Sequence, residues 1–324
     1  MPNGQNGQNG FLFYRVSTVA FALLLIPYFY YRFVHSVEGT YQVAVVVLEL
    51  YGALNVLLLG VVRFRCPWAP ATPSVPSAGS MLIGDDEAID DVAVVGGGSG
   101  VGSSGGGDGS GGGPFDVAIL VPCYSEPDDV LFNTIRAALA LDHPLAARVR
   151  VCLCDDGGLS HRRAALARLA PPERALYVSR PKDPKVPNHG KAGNLNYCLR
   201  EVLYPDGPPG TNAVVVVFDC DMEAHADFLA HTLPYLDCER ETALVQTPQH
   251  FYNVAPAGDV FNHHNLFFYQ AMQPGLDAWG ATFCCGTNFV ARAAALHEVG
   301  WFPTESITED FLLGEPWVAT LGQF

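Results

Sequence analysis

Arg150-Val-Cys-Leu-Cys-Asp155-Asp156-Gly157-Gly158 and Ala213-Val-Val-Val-Val-Phe218-Asp219-Cys220-Asp221 are the two stretches whose reading decides the fold. Each is a hydrophobic, strand-like run that ends in acidic residues. Carboxylates at the carboxyl ends of parallel strands lie where open α/β sheets bind their ligands. Two carboxylates one residue apart on a turn can hold a divalent cation through oxygen, and that cation can hold a diphosphate. A third acidic motif, Thr308-Glu309-Asp310, follows in order. Together they imply nucleotide-sugar chemistry.

Working outward, Asp116–Val121 reads as a buried strand, followed by a turn through Pro122–Glu126 and a helix from Pro127 to Leu141. Ala175–Ser179 is a further strand, Lys191–Leu203 a helix, and Ala213–Phe218 the strand before the second acidic motif. A helix near His225–Leu236 and a strand at Ala243–Thr247 complete the set. Strands alternating with helical stretches predict an α/β domain with a mostly parallel mixed sheet and crossover helices. Gly157-Gly158 opens a loop and forms no G-x-G-x-x-G fingerprint, so a dinucleotide fold is not expected.

The formal charge of −15 excludes a nucleic-acid partner, whose phosphates need a basic face. The three lysines, Lys182, Lys185 and Lys191, fall in one stretch with Arg180 and His189. That stretch reads equally well as an anion-facing loop or as a solvated basic one. Nine cysteines occur with no C-x-x-C pair, several in core-like runs, which points to reduced thiols in a cytosolic domain. Cys66 follows an apolar segment, where palmitoylation is conceivable and an inert thiol is the simpler reading.

Residues Phe11 to Tyr31 and Tyr41 to Val62 are apolar stretches of about the 20 residues a membrane-spanning helix needs, broken only by Arg15 and Glu49. Neither shows the polar face of a core helix, and the first lacks the basic start and small-residue cleavage site of a signal peptide. An intramembrane carboxylate such as Glu49 normally faces a protein partner or water. Arg63 and Arg65 place the remainder in the cytosol, although Arg32, in the short connection, weakens that bias. Three regions are therefore expected: a membrane region at 1–65, a Pro/Gly/Ser-rich disordered tether at 66–114, and a cytosolic catalytic domain at 115–324. The lipid bilayer is thus an expected partner, with the plasma membrane favoured over the Golgi.

Sugar transfer needs a pocket for the base, a cation for the leaving diphosphate, a clamp on the sugar and a base for the attacking hydroxyl. Asp219 and Asp221 suit the cation, and Asp155 and Asp156 suit hydrogen bonding to the nucleoside. Lys191, at a predicted helix start, adds its charge to free backbone N–H groups that favour an anion. Asp310 is the candidate general base. Each has a plainer reading, since an Asp pair at a turn usually caps backbone and a lone Thr-Glu-Asp signifies little. Their order and placement carry the argument.

From Val117 to Leu313 the chain resembles the catalytic domain of the processive family 2 glycosyltransferases, cellulose synthases above all. The resemblance rests on Val121-Pro-Cys-Tyr-Ser-Glu126, Asp155-Asp-Gly-Gly158, His189-Gly-Lys-Ala-Gly-Asn-Leu-Asn196 and Asp219-Cys-Asp221. It continues through Val245-Gln-Thr-Pro-Gln249, Phe283-Cys-Cys-Gly-Thr287 and Thr308-Glu-Asp310. The resemblance implies a GT-A fold, a UDP-sugar donor and inversion at the anomeric carbon. By its motifs Tyr124, Glu126, Asp155 and Asp156 would line the uridine pocket, and Lys191 would contact the diphosphate. Asp219 and Asp221 would hold Mg2+ or Mn2+, with Asp219 also at the nucleotide sugar. Cys285, Gly286 and Glu309 would lie by the acceptor, and Asp310 would take the proton from its 4-hydroxyl. Phe261–Trp279 would be an interface helix against the membrane, its other reading being ordinary core packing. UDP-glucose and a β-1,4-glucan acceptor are the implied partners. Synthases of mannan, chitin and hyaluronan share parts of the pattern, and association of synthase subunits, homo- or hetero-oligomeric, is left open.

The family's next motif, Gln-x-x-Arg-Trp, does not occur before the chain stops at Phe324. The sequence accordingly reads as a C-terminally truncated synthase-like enzyme. Its rival is a membrane-anchored UDP-sugar-binding protein without polymerase activity.

Overall fold

A computed structural model describes residues 4–35, 39–64, 93–96, 114–185, 187–238, 242–254, 259, 261, 263–279, 282, 284–306, 309–310 and 312–313. Cys66, Phe283, Thr308 and nearly all of the expected tether, its Gly/Ser run included, lie outside the described residues.

The chain divides into two compact units. In one, α1 (Gly4–His35) and α2 (Thr40–Phe64) form a helical hairpin. Both are long and apolar enough to cross a membrane, over Arg15–His35 and Gln42–Val61. Arg32 is not in the connection, as expected, but in the last turn of α1. There its Nε and Nη2 donate to the two carboxylate oxygens of Glu49 on α2, at 2.9 and 3.0 Å. This fork-to-fork pair answers the question Glu49 raised, because the carboxylate faces a protein partner. Gly60 lets the helices approach closely, since a methyl there would come within 2.6 Å of Thr18 Cγ2. The segment Phe251–Trp279 belongs to this unit. Within it residues 266–277 form one continuous helical run, π-helical over Phe268–Met272 and α-helical over α7 (Gln273–Asp277). Trp279 Nε1 donates to the Val61 carbonyl of α2 at 3.1 Å.

The other unit is built on a mixed seven-stranded sheet. Its strands are β1 (Ala93–Gly96), β2 (Phe115–Cys123), β3 (Ala146–Asp155), β4 (Ala175–Val178), β5 (Ala213–Val217), β6 (Thr242–Gln246) and β7 (Phe289–Arg292), in the order β1-β6-β7-β5-β2-β3-β4. β2 pairs in parallel with β3 and β5, and β3 with β4. β7 runs antiparallel between β5 and β6, and β1 antiparallel to β6. The mixed α/β sheet of a GT-A-type domain is thus present, parallel in one half and antiparallel in the other. β1 is a departure, because Ala93–Gly96 was expected inside an unfolded tether and instead pairs with β6.

Alternation along the strands explains the layers. Val117, Ile119, Val121, Val149, Val151, Leu153, Val214 and Val216 face one core. Its helices are α3 (Asp128–Ala140), α4 (Ser160–Leu169) and α6 (Phe228–Cys238). Ala118, Leu120, Cys152, Cys154, Val215 and Val217 face the opposite core. That side holds α5 (Gly190–Tyr197), its π-helical continuation Cys198–Leu203 and α8 (Ala293–Glu298). Ile119, Leu120, Leu153 and Val214–Val217 are fully buried, each worth about 1.5–3 kcal/mol. Because β7 runs opposite to β5, its first residues meet the carboxyl end of β5 at one sheet edge. Leu313 is fully buried in the second core and anchors the segment that carries Glu309 and Asp310.

Candidate active site

At the carboxyl edge of β2 and β3, one buried arginine organises the first acidic motif. Arg162, on α4, is 2% exposed. Its Nε donates to Asp128 Oδ1 at 2.8 Å, Nη1 to the Tyr124 carbonyl and Asp155 Oδ1 at 3.2 Å each, and Nη2 to the Glu126 carbonyl at 2.6 Å. Asp155 is fully buried. Its Oδ1 also accepts from Gly157 N–H at 2.9 Å, and its Oδ2 accepts from Leu159 N–H at 2.8 Å and the Tyr177 hydroxyl at 2.7 Å. Burial alone would raise its pKa. The hydrogen bonds from Tyr177, Leu159 and Gly157, with the Arg162 charge, outweigh that and hold it below its ordinary value.

Asp155 was expected to bond the nucleoside and line its pocket; within the protein its oxygens accept from Gly157, Leu159, Tyr177 and Arg162, and these bonds shape the turn. Gly157 is required there, because a Cβ would lie 2.5 Å from the Tyr124 carbonyl oxygen. Asp156 is clamped from the other side, Arg180 Nε and Nη2 each donating at 2.6 Å. Arg180 Nη1 also donates to the Asn188 carbonyl at 2.6 Å, tying the basic loop to this motif. Of the predicted pocket residues, Tyr124 is the open one at 59% exposure, with Lys182 Nζ 5.0 Å above its ring. Glu126 Oε2 accepts from Tyr124 N–H at 2.6 Å.

The second motif turns at the end of β5. Cys220 is buried between half-buried Asp219 and exposed Asp221, so both carboxylates stand outside the core. The turn is braced from two sides. Thr134 Oγ1 donates to the Cys220 carbonyl at 2.8 Å, and Asp219 N–H donates to Thr287 Oγ1 at 2.9 Å. Burial pushes the Cys220 thiol up to about 12, the Glu126 carboxylate nearby adding to it. Glu126 therefore lies by both motifs.

Lys191, in the first turn of α5, joins three parts of the site. Its Nζ is 2.5 Å from Asp219 Oδ1 and donates to the Gly286 carbonyl at 2.8 Å. Gly286 has φ +82, and a Cβ there would stand 2.7 Å from Asp310 Oδ2. The Asp310 carboxylate thus packs against the one residue type that leaves it room. Burial raises the pKa of Asp219, and Asp221 and Asp310 add to the rise that Lys191 opposes. Burial likewise raises Glu309, with Lys191 opposing and Asp310 and Asp219 reinforcing. Lys191, Asp219, Asp221, Gly286, Glu309 and Asp310 therefore form one electrostatic unit, although Lys191 and Asp310 lie far apart in sequence.

Several residues that the motifs did not single out hold this unit together. Gln246, 1% exposed, donates to the Thr287 and Thr247 carbonyls at 2.8 and 2.9 Å and accepts from Cys285 N–H at 2.8 Å. It fixes the loop that carries Cys285 and Gly286. Asn196 and Phe302 exchange a reciprocal pair of bonds at 2.8 and 2.9 Å, and His189 Nδ1 lies 3.1 Å from the Thr304 carbonyl oxygen. Both tie the lysine motif to the loop preceding Asp310. Gln246, Asn196 and His189 fall within the quoted blocks, and nothing in the sequence marks Phe302 or Thr304.

Among the described residues no three metal-ligating side chains converge. Asp219 and Asp221 nevertheless fit a hard divalent cation. Both are oxygen donors, and Glu309 and Asp310 lie close enough to act on Asp219 electrostatically. All eight described cysteines are free thiols.

The model of Glycosyl transferase family 2 matches residues 118–300, more than half of the chain. Cellulose synthase 1 of Komagataeibacter xylinus is 36% identical over 200 residues, covering 60% of this chain and 12% of that protein. A cellulose synthase 1 catalytic subunit (UDP-forming) of the same organism is 34% identical over 200 residues, covering 60% and 25%. The chain therefore spans a quarter or less of these relatives. Residues 1-349 of TarS from S. aureus are similar in structure at a TM-score of 0.43 and 12% identity, covering 63% of this chain and 55% of that one.

Proposed function

The chain belongs to glycosyl transferase family 2, and from that membership we propose a cellulose-synthase-like, inverting transfer of glucose from UDP-glucose to the 4-hydroxyl of a β-1,4-glucan. The observation that carries the proposal is the meeting of Lys191, Asp219, Gly286 and Asp310 at one sheet edge. Tyr124 and Glu126 receive the uridine, over a floor held by Asp155 and Asp156. The Lys191 ammonium, released from Asp219, pairs with the diphosphate. Asp219 and Asp221 are the carboxylates that would hold Mg2+ or Mn2+, which when bound neutralises charge on the leaving UDP. The acceptor end rests by Cys285, Gly286 and Glu309. Its 4-hydroxyl oxygen attacks the anomeric carbon from the face opposite UDP. The new C–O bond forms as the bond to the diphosphate breaks, and Asp310 takes the hydroxyl proton. The helices α1 and α2 hold the protein in a membrane, with the catalytic unit on the cytosolic side.

Titration calorimetry of the detergent-solubilised chain with UDP tests this, in Mn2+ and in EDTA. Metal-dependent binding that Asp219→Ala abolishes is expected. A folded wild-type chain that takes up no UDP would refute the donor site. UDP-glucose competing no better than UDP-N-acetylglucosamine would refute the choice of sugar.

A further inference from the structure

We propose that Arg162 is a positioning residue for the nucleoside pocket, an inference that rests on the donor-site reading above. An arginine side chain 2% exposed is costly to bury unless its donors are met. Here the fork is filled by groups of one loop and its supports. Nη1 and Nη2 hold the Tyr124 and Glu126 carbonyls, Nη1 also holds Asp155, and Nε is anchored by Asp128. Cys123 Sγ, 3.5 Å from Nη1, completes the set. With four of its five N–H donors engaged and the side chain 2% exposed, the guanidinium is not placed to meet a ligand itself. It acts through the residues that line the pocket. Two of them, Tyr124 and Glu126, have their backbone carbonyls fixed by the two nitrogens of one rigid plane. The third, Asp155, faces that plane across a buried ion pair of 3.2 Å. A flexible or neutral side chain of equal length could fill the space but could not set these three groups at once. Asp128 is 41% exposed and outside the pocket, so it orients the arginine from behind.

The diphosphate end of the site is built differently, from Lys191, Asp219 and Asp221, and Arg162 touches none of them. That separation gives the test. UDP, uridine, and pyrophosphate with Mn2+ are titrated into wild type, Arg162→Met, Arg162→Lys and Asp128→Asn, each checked for folding by circular dichroism. Arg162→Met is expected to weaken UDP and uridine by about tenfold or more and to leave Mn2+–pyrophosphate binding unchanged. Arg162→Lys recovers part of the loss, and Asp128→Asn loses roughly two- to fivefold. Unchanged UDP affinity in a folded Arg162→Met overturns the inference, as does an equal loss of pyrophosphate, which marks a merely structural role. Where Arg162→Met does not fold, Asp128→Asn decides in the same way. Failure of the wild type to bind UDP would instead bring down the donor-site reading, and this inference with it.

Discussion

Gly286→Ala puts the Asp310 arrangement under a quantitative test. Two separate costs follow from the structure. The backbone at Gly286 has φ +82, where an L side chain costs about 1–2 kcal/mol. The added methyl also stands 2.7 Å from Asp310 Oδ2 and 3.3 Å from its Cγ, an overpacking worth typically about 1–3 kcal/mol. The sum is about 2–5 kcal/mol, a fall in Tm of several degrees for a domain of this size. The second cost depends on the carboxylate and the first does not. In an Asp310→Ala background the same substitution should therefore cost only the backbone share. Urea or thermal melts of the four proteins of this double-mutant cycle read the difference. If Asp310 is the base proposed above, its displacement should lower transfer by about 100-fold in Gly286→Ala. Equal costs of Gly286→Ala in both backgrounds, or wild-type stability in the single variant, would show that Asp310 does not pack on Gly286.

Three further outcomes are expected. Asp310→Asn leaves UDP–Mn2+ affinity within about threefold and lowers transfer by about 100-fold or more, as loss of a general base requires; a calorimetric loss of UDP binding would assign it a structural role instead. Lys191→Met weakens UDP by roughly tenfold and leaves uridine untouched, and an equal loss of both would show that the lysine does not serve the diphosphate. Asp155 is held below its ordinary value of 3.8, so its contribution to stability is complete above that value and is lost as the pH falls through the lower, folded one. Urea melts against pH should show the gap between wild type and Asp155→Asn closing on the acid side, and a constant gap would refute the assigned direction.

The first two acidic motifs were legible because each follows a mostly apolar, strand-like run, Arg150–Cys154 and Ala213–Phe218, and such strands locate their own carboxyl ends. Asp219, Lys191 and Asp310 needed only order and placement. β7 was not legible. Phe289-Val-Ala-Arg292 is four residues long, follows the polar Thr287-Asn288 and runs into the helical Ala293-Ala-Ala295, so no period announces a strand. Missing it hid why the sheet is half antiparallel and why Thr287 meets Asp219. Arg162 was hidden for another reason. In Ser160-His-Arg-Arg163 it is indistinguishable from its solvent-facing neighbours, and its partners Asp128 and Tyr124 belong to other elements. Asp155 was located correctly in the chain, but the sequence could not show how many donors would surround it.

The Arg32–Glu49 pair bears on how the chain is made. In the membrane that α1 and α2 are proposed to cross, α2 delivered alone would carry the uncompensated Glu49 charge near the middle of its span, where an ionised side chain costs about 2.5–3.5 kcal/mol. Delivered together they present hydrocarbon with a neutral, internally bonded pair. Biogenesis then has an order built into it. The second helix gains its full membrane stability only against the first, so the hairpin, and not the single span, is the unit that a translocon must release.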